Sequence, residues 1–122
     1  MAHLQGWDWA NMEAMDRIIN GKIPGFYAYY DPDWRRYNSI LVKRYRSDDF
    51  AMLMMAVMKS HHMLIKKIRS LSAFDIFRDN GVRWHGIRVT IKRLLLAEIG
   101  DEEKHAHQLE EFVSSTRNDC FL

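Results

Sequence analysis

The amino-acid sequence predicts an all-α fold on three observations. Six Gly and two Pro stand against eight Met and many Leu and Ile in 122 residues, a composition poor in chain breakers. Long stretches repeat their apolar residues at three- and four-residue spacing, the period of a helix buried on one side. Strand-like alternation occurs once, over Val82–Val89, and a single run has no second run from which to build a sheet. The length suits one helical domain over residues 1–122, with helices at about 2–20, 33–46, 47–71 and 90–116.

The first helix carries Leu4, Trp7, Ala14, Met15 and Ile18 on one stripe, with His3 at its edge and Asn11 within it, and Gly21 provides a stop. Pro24-Gly25 and Asp31-Pro32-Asp33 punctuate the loop that follows. Between them stand Phe26, Tyr27, Tyr29 and Tyr30. These rings either fold back over the core or line the mouth of a pocket, since aromatic side chains give apolar contact at low entropic cost.

Asp33 is the expected N-cap of a short helix that turns Trp34, Tyr37, Ile40, Leu41 and Tyr45 toward the core. Ser47-Asp48-Asp49 opens the next helix with a capping serine and two acids that suit the positive helix end. Its apolar face comprises Phe50, Leu53, Met54, Val57, Leu64, Ile65, Ile68 and Leu71, with His61 near the centre. A histidine there is either a satisfied core residue or a functional one. Met52, Met55, Ala56 and Met63 fall on other sides, so this helix is expected to be covered on more than one side, as by a partner subunit. Ser72–Val89 reads as a connection with a helical turn near Ala73–Phe77 and a chain turn at Asn80-Gly81.

Thr90 caps the last helix, whose stripe is Ile91, Leu94, Leu95, Leu109, Phe112 and Val113, edged by Ile99 and Ala106. Glu98, Glu102 and His105 interrupt that stripe, with Asp101 beside them. Ionisable groups aimed at a core cost several kcal/mol unless a metal or an ion pair satisfies them. From Ser114 the sequence is polar and is expected to fray.

A formal charge of +2 with no dense basic patch argues against nucleic acid as partner. Cys120 is the only cysteine, so no intramolecular disulfide can form, and a reducing cytoplasm is the expected setting. Met1–Gln5 has no basic stretch or apolar run of the kind a signal peptide needs. No apolar run is long enough to span a membrane.

Several short motifs recur together along the chain: His3-Leu4-Gln5-Gly6-Trp7-Asp8, Ile23-Pro24-Gly25-Phe26, and Tyr30-Asp31-Pro32-Asp33-Trp34 with Asn38. They continue through Ser60-His61, Phe77-Arg78, Trp84 with Gly86 and Thr90, and Glu102 with His105. In that order the chain resembles the DinB-like four-helix bundles, and within them the ClbS/DfsB branch. The resemblance implies an up-down bundle in which three imidazoles hold a divalent metal. Carried over, His3 and His105 match two of the ligands, and Asp101 stands where the third is usually histidine. Aspartate oxygen and histidine nitrogen both bind Zn or Ni. Relatives carry a further helix ahead of the one with His3, so the resemblance implies a bundle without its usual first helix: either the chain is naturally shortened, or a longer protein has been trimmed, or a second copy in a homodimer completes it.

The resemblance also implies chemistry on a small molecule, as metal-dependent thiol transfer or isomerisation, or as protective hydrolysis of a strained electrophile. In the hydrolytic version Glu98, Glu102 or Asp101 is the candidate general base and His61 polarises the substrate. Trp7, Tyr30, Trp34 and Trp84 are the expected pocket. The alternative is a metal-free, non-catalytic helical module for dimerisation or binding, in which Glu98, Glu102, His61 and His105 pair with Arg and Lys of neighbouring helices. Glu102-x-x-His105 lacks the second such pair that a di-iron site needs.

Overall fold

The computed structural model describes residues 2–29 and 34–120; from residue 101 onward, only the side chains of 102–104, 106, 107, 110, 111 and 114 are included. Tyr30, Asp33 as a helix cap, the side chains of Asp101 and His105, and Leu109, Phe112 and Val113 as core residues lie outside the described set. Among the described residues the chain is all-α apart from one small hairpin. Its helices are α1 (Ala2–Ile19), α2 (Arg35–Tyr45), α3 (Phe50–Ser70), α4 (Ala73–Phe77) and α5 (Ile91–Cys120), with a 3-10 turn at Gly25–Tyr29. Contacts divide it into two compact units, Met1–Ile91 and Lys92–Leu122.

In the first unit α1 is the central element, packed on both α2 and α3. It ends in a Schellman turn. Gly21 takes φ 74°, its amide donates to the carbonyl of Ile18 at 2.9 Å, and that of Lys22 donates to the carbonyl of Arg17 at 2.8 Å. Gly6 permits close approach to α2, since a Cβ there would lie 2.8 Å from Leu41 Cβ. The indole N–H of Trp7 donates to Asn38 Oδ1 at 2.6 Å and joins the same two helices. Asp8 bonds Ser60 of α3 and Asp16 pairs with Lys67 farther along it. The two ties climb both helices in the same order, so α1 and α3 run parallel. Met15, Ile18, Leu41, Leu64 and Ile91 are among the unit's deeply buried apolar residues.

The expected helix ends shift by a few residues for identifiable reasons. Helix α3 is capped by Asp49, whose carboxylate accepts from the Met52 amide at 3.2 Å. Ser47 instead accepts from the Asp49 amide, one step before the helix. Helix α2 begins after Trp34, which takes φ 60° and offers no side-chain cap. Helix α5 continues past Thr116 to Cys120, with no Gly or Pro in its last turns to stop it. Ser72 and Asp75 cap α4 reciprocally, each side chain accepting the other's amide.

The expectation that Val82–Val89 cannot form a sheet is corrected. The run folds back on itself as β1 (Arg83–Trp84) and β2 (Ile87–Arg88), paired antiparallel. His85 and Gly86 form the turn with φ of 48° and 76°, the positive pair that a tight two-residue hairpin requires. Asp79 braces it: Arg83 donates to both carboxylate oxygens at 2.8 and 2.7 Å, and Arg88 lies 3.3 Å away.

In the second unit α5 carries Leu96 and Ile99 exposed, so Ile99 is not a covered edge of its stripe. Among the described residues, no helix is long and apolar enough to cross a membrane.

Candidate functional site

On α1, Asp8, Asn11 and Met15 fall on one face at helical spacing, and all three are buried. Two polar residues in such a stripe need partners, and α3 supplies two for Asp8. Ser60 is fully buried, and its hydroxyl donates to Asp8 Oδ2 at 2.7 Å. The Val57 carbonyl lies 3.0 Å from the same hydroxyl. One hydroxyl carries one proton, and the charged acceptor at the shorter distance takes it. On the next residue, His61 Nδ1 lies 3.9 Å from Asp8 Oδ1. The imidazole is 45% exposed against 5% for the Asp8 side chain, so a buried carboxylate backs a ring that reaches solvent.

That arrangement can do two things. A carboxylate on the Nδ1 side attracts a proton to the ring electrostatically, and an imidazole can exchange protons with a bound molecule. An oxygen and a nitrogen donor side by side are also two of the ligand types a divalent ion takes.

The helix α3 therefore turns a different residue inward than its sequence suggests. Ser60 and Leu64 are its buried positions, while His61 is only half-buried. Phe50, Met54 and Ile65, expected on the covered face, are exposed. The small serine allows α1 to approach, and its bond to Asp8 fixes the rotation of the helix.

The remaining expected site residues are distributed as follows. His3 is partly buried on α1. Glu98 is partly buried and Glu102 exposed, both on α5. Asp101 and His105 lie one turn apart on that helix, with side chains outside the described set. Trp7, Trp34 and Trp84 do come together, in a connected cluster of rings. Trp7 meets Trp34 edge-on at 5.9 Å, Phe26 at 5.2 Å and Tyr37 at 5.0 Å. Tyr27 stacks on Trp84 at 5.0 Å and reaches Trp34 at 5.9 Å. The loop rings thus pack on one another and fasten the hairpin to the helices.

Asp8 and Ser60 were hidden in the sequence as site residues. The signal was present in both helices. Asp8, Asn11 and Met15 share a face, and Leu53, Val57, Ser60, Leu64, Ile68 and Leu71 repeat at three- and four-residue spacing. Comparison of the chain with protein-family models, with curated proteins and with solved structures finds no match.

Proposed function

We propose that the protein is a DinB-like bundle protein of the ClbS/DfsB type that hydrolyses a small electrophilic molecule in the cytoplasm, with His61 as general base and Asp8 as the group that orients it. The observation that carries this reading is the buried Asp8 carboxylate, bonded to Ser60 at 2.7 Å and set 3.9 Å from the half-exposed imidazole. Base and orienter so arranged are the parts that activate a water molecule. Water oxygen attacks the electrophilic carbon, the strained bond breaks, the water proton passes to the His61 imidazole and from there to solvent, and the departing atom takes a proton from solvent. This moves the base from Glu98, Glu102 or Asp101 to His61. Acceleration of the hydrolysis of an aryl epoxide by the wild-type protein, lost in His61→Ala, supports it; equal rates in the two oppose it.

The donor set at Asp8 and His61 favours a second route, in which the pair contributes ligands to Zn or Ni. A bound ion there would supply Lewis acidity. Exhaustive chelation separates the routes, since it leaves the rate unchanged when His61 alone is the base and abolishes it when an ion is required.

The apolar surface of α3 favours a homodimer, whether the protein is a catalyst or a binding module. Phe50, Met52, Met55 and Met58 are each 64–70% exposed, and no charged residue interrupts Phe50–Met58. Surface of this kind marks an interaction site.

A further inference from the structure

A cavity of about 200 Å³ opens where α1, the 3-10 turn and α2 meet. Its α1 residue, Glu13, is about 140° around the helix from Asp8, so this is a place distinct from the Asp8–His61 pair. Glu13 and Arg44 line it together with the rings of Phe26, Tyr29 and Tyr37. Among the described residues neither Glu13 nor Arg44 forms an ion pair or a hydrogen bond. A carboxylate and a guanidinium therefore face one small cavity without being joined to each other.

The rings are held in place before any ligand arrives. Tyr37 is fixed edge-on to Trp7 at 5.0 Å, with Phe26 at 6.0 Å and Tyr29 at 5.5 Å. Tyr29 already attracts a cation, the Arg36 guanidinium 5.7 Å from its centroid. Burial pushes the Tyr37 hydroxyl above its ordinary pKa, Arg44 opposes that rise and Glu13 adds to it, so both charges act on the cavity wall. The volume falls below the roughly 300–1,000 Å³ of pockets that hold drug-sized molecules, so the occupant is small.

We propose that this cavity binds a small zwitterion, its methylated ammonium against Phe26, Tyr29 and Tyr37 beside Glu13, and its anionic end on Arg44. A methylated ammonium has no N–H to satisfy and gives up its water cheaply, which suits aromatic faces flanked by one carboxylate. Arg44 offers a planar fork that matches a carboxylate. Either end alone would leave one of the two protein charges without its counterpart.

The test is titration of the full chain with glycine betaine, followed by calorimetry and by NMR of the Trp7 indole N–H, which reports the bond to Asn38. Saturable binding is expected, with tetramethylammonium and acetate each weaker by about tenfold or more. Tyr29→Ala and Arg44→Met should each weaken glycine betaine about tenfold while the indole signal stays in place. Absence of saturable binding overturns the proposal, as does binding that both variants leave unchanged. Equal affinity for tetramethylammonium and glycine betaine overturns the zwitterion assignment.

Discussion

Ser60 shows how much a single small residue decides. Its hydroxyl donates to a carboxylate buried in the α1–α3 interface. Ser60→Ala should cost about 1.5–3 kcal/mol, the range for a hydrogen bond to a charged group, and thermal or urea unfolding would register it. Asp8→Ala should cost less, because the Ser60 hydroxyl can turn to the Val57 carbonyl at 3.0 Å. A larger loss for Asp8→Ala would mean that the carboxylate holds more of the fold than this pair accounts for. At Asp79 the prediction concerns pH. The hydrogen bonds from Arg83 and then the Gly81 amide hold this carboxyl well below the usual range. A lowered folded pKa stabilises the hairpin at pH above the unfolded value of about 4 and the effect fades as pH falls through the folded value. The Gly81 amide shift in an NMR pH titration should therefore stay constant down to about pH 4 and move only below it. Movement between neutral pH and 5 would contradict the bracing role.

Elements were legible in the sequence wherever periodicity alone decides them. The long helices and the Gly21 stop follow from apolar spacing and from the one residue type that accepts a positive φ without cost. The hairpin is not legible as two separate strand-like runs, because His85-Gly86 bends a single run into two. The inward face of α3 lies about 50° around from the centre of its apolar stripe, because Phe50, Met54 and Ile65 draw that centre toward His61. A serine cannot announce itself as a core residue by hydrophobicity; only its partner Asp8, far away in sequence, explains it. The α1–α2 contact offers a direct test of packing. Gly6→Ala gains up to about 1 kcal/mol of helix propensity but forces a methyl onto Leu41, an overpacking cost of about 1–3 kcal/mol. A net loss is expected, seen as a lower melting temperature, and Leu41→Ala in the same chain should relieve it only in part, because the Leu41 Cβ itself lies 2.8 Å from the new methyl. An unchanged or higher melting temperature for Gly6→Ala would show that the helices can move apart freely.

For the whole molecule, the sequence made the all-α class readable, because so few residues break helices and nearly every long segment is amphipathic. The chemistry was less readable. Sequence order cannot show that an acid near the start of the chain lies beside Ser60 and His61, since that depends on α1 and α3 running in parallel. The apolar α3 surface bears on assembly. Sedimentation should give a concentration-dependent dimer at micromolar protein, and Met55→Lys with Met58→Lys should yield a folded monomer. A wild-type monomer throughout would remove the partner subunit from the account. Kinetics test whether His61 is a base oriented by Asp8. The measurement is the hydrolysis rate of an aryl epoxide by wild type, His61→Ala and Asp8→Asn, each verified as folded by circular dichroism. The account predicts acceleration by wild type and a fall of about 100-fold or more in His61→Ala, the usual contribution of a general base. A smaller loss is expected in Asp8→Asn. A folded His61→Ala variant that keeps the wild-type rate, or a wild-type protein that does not accelerate the reaction, would contradict it.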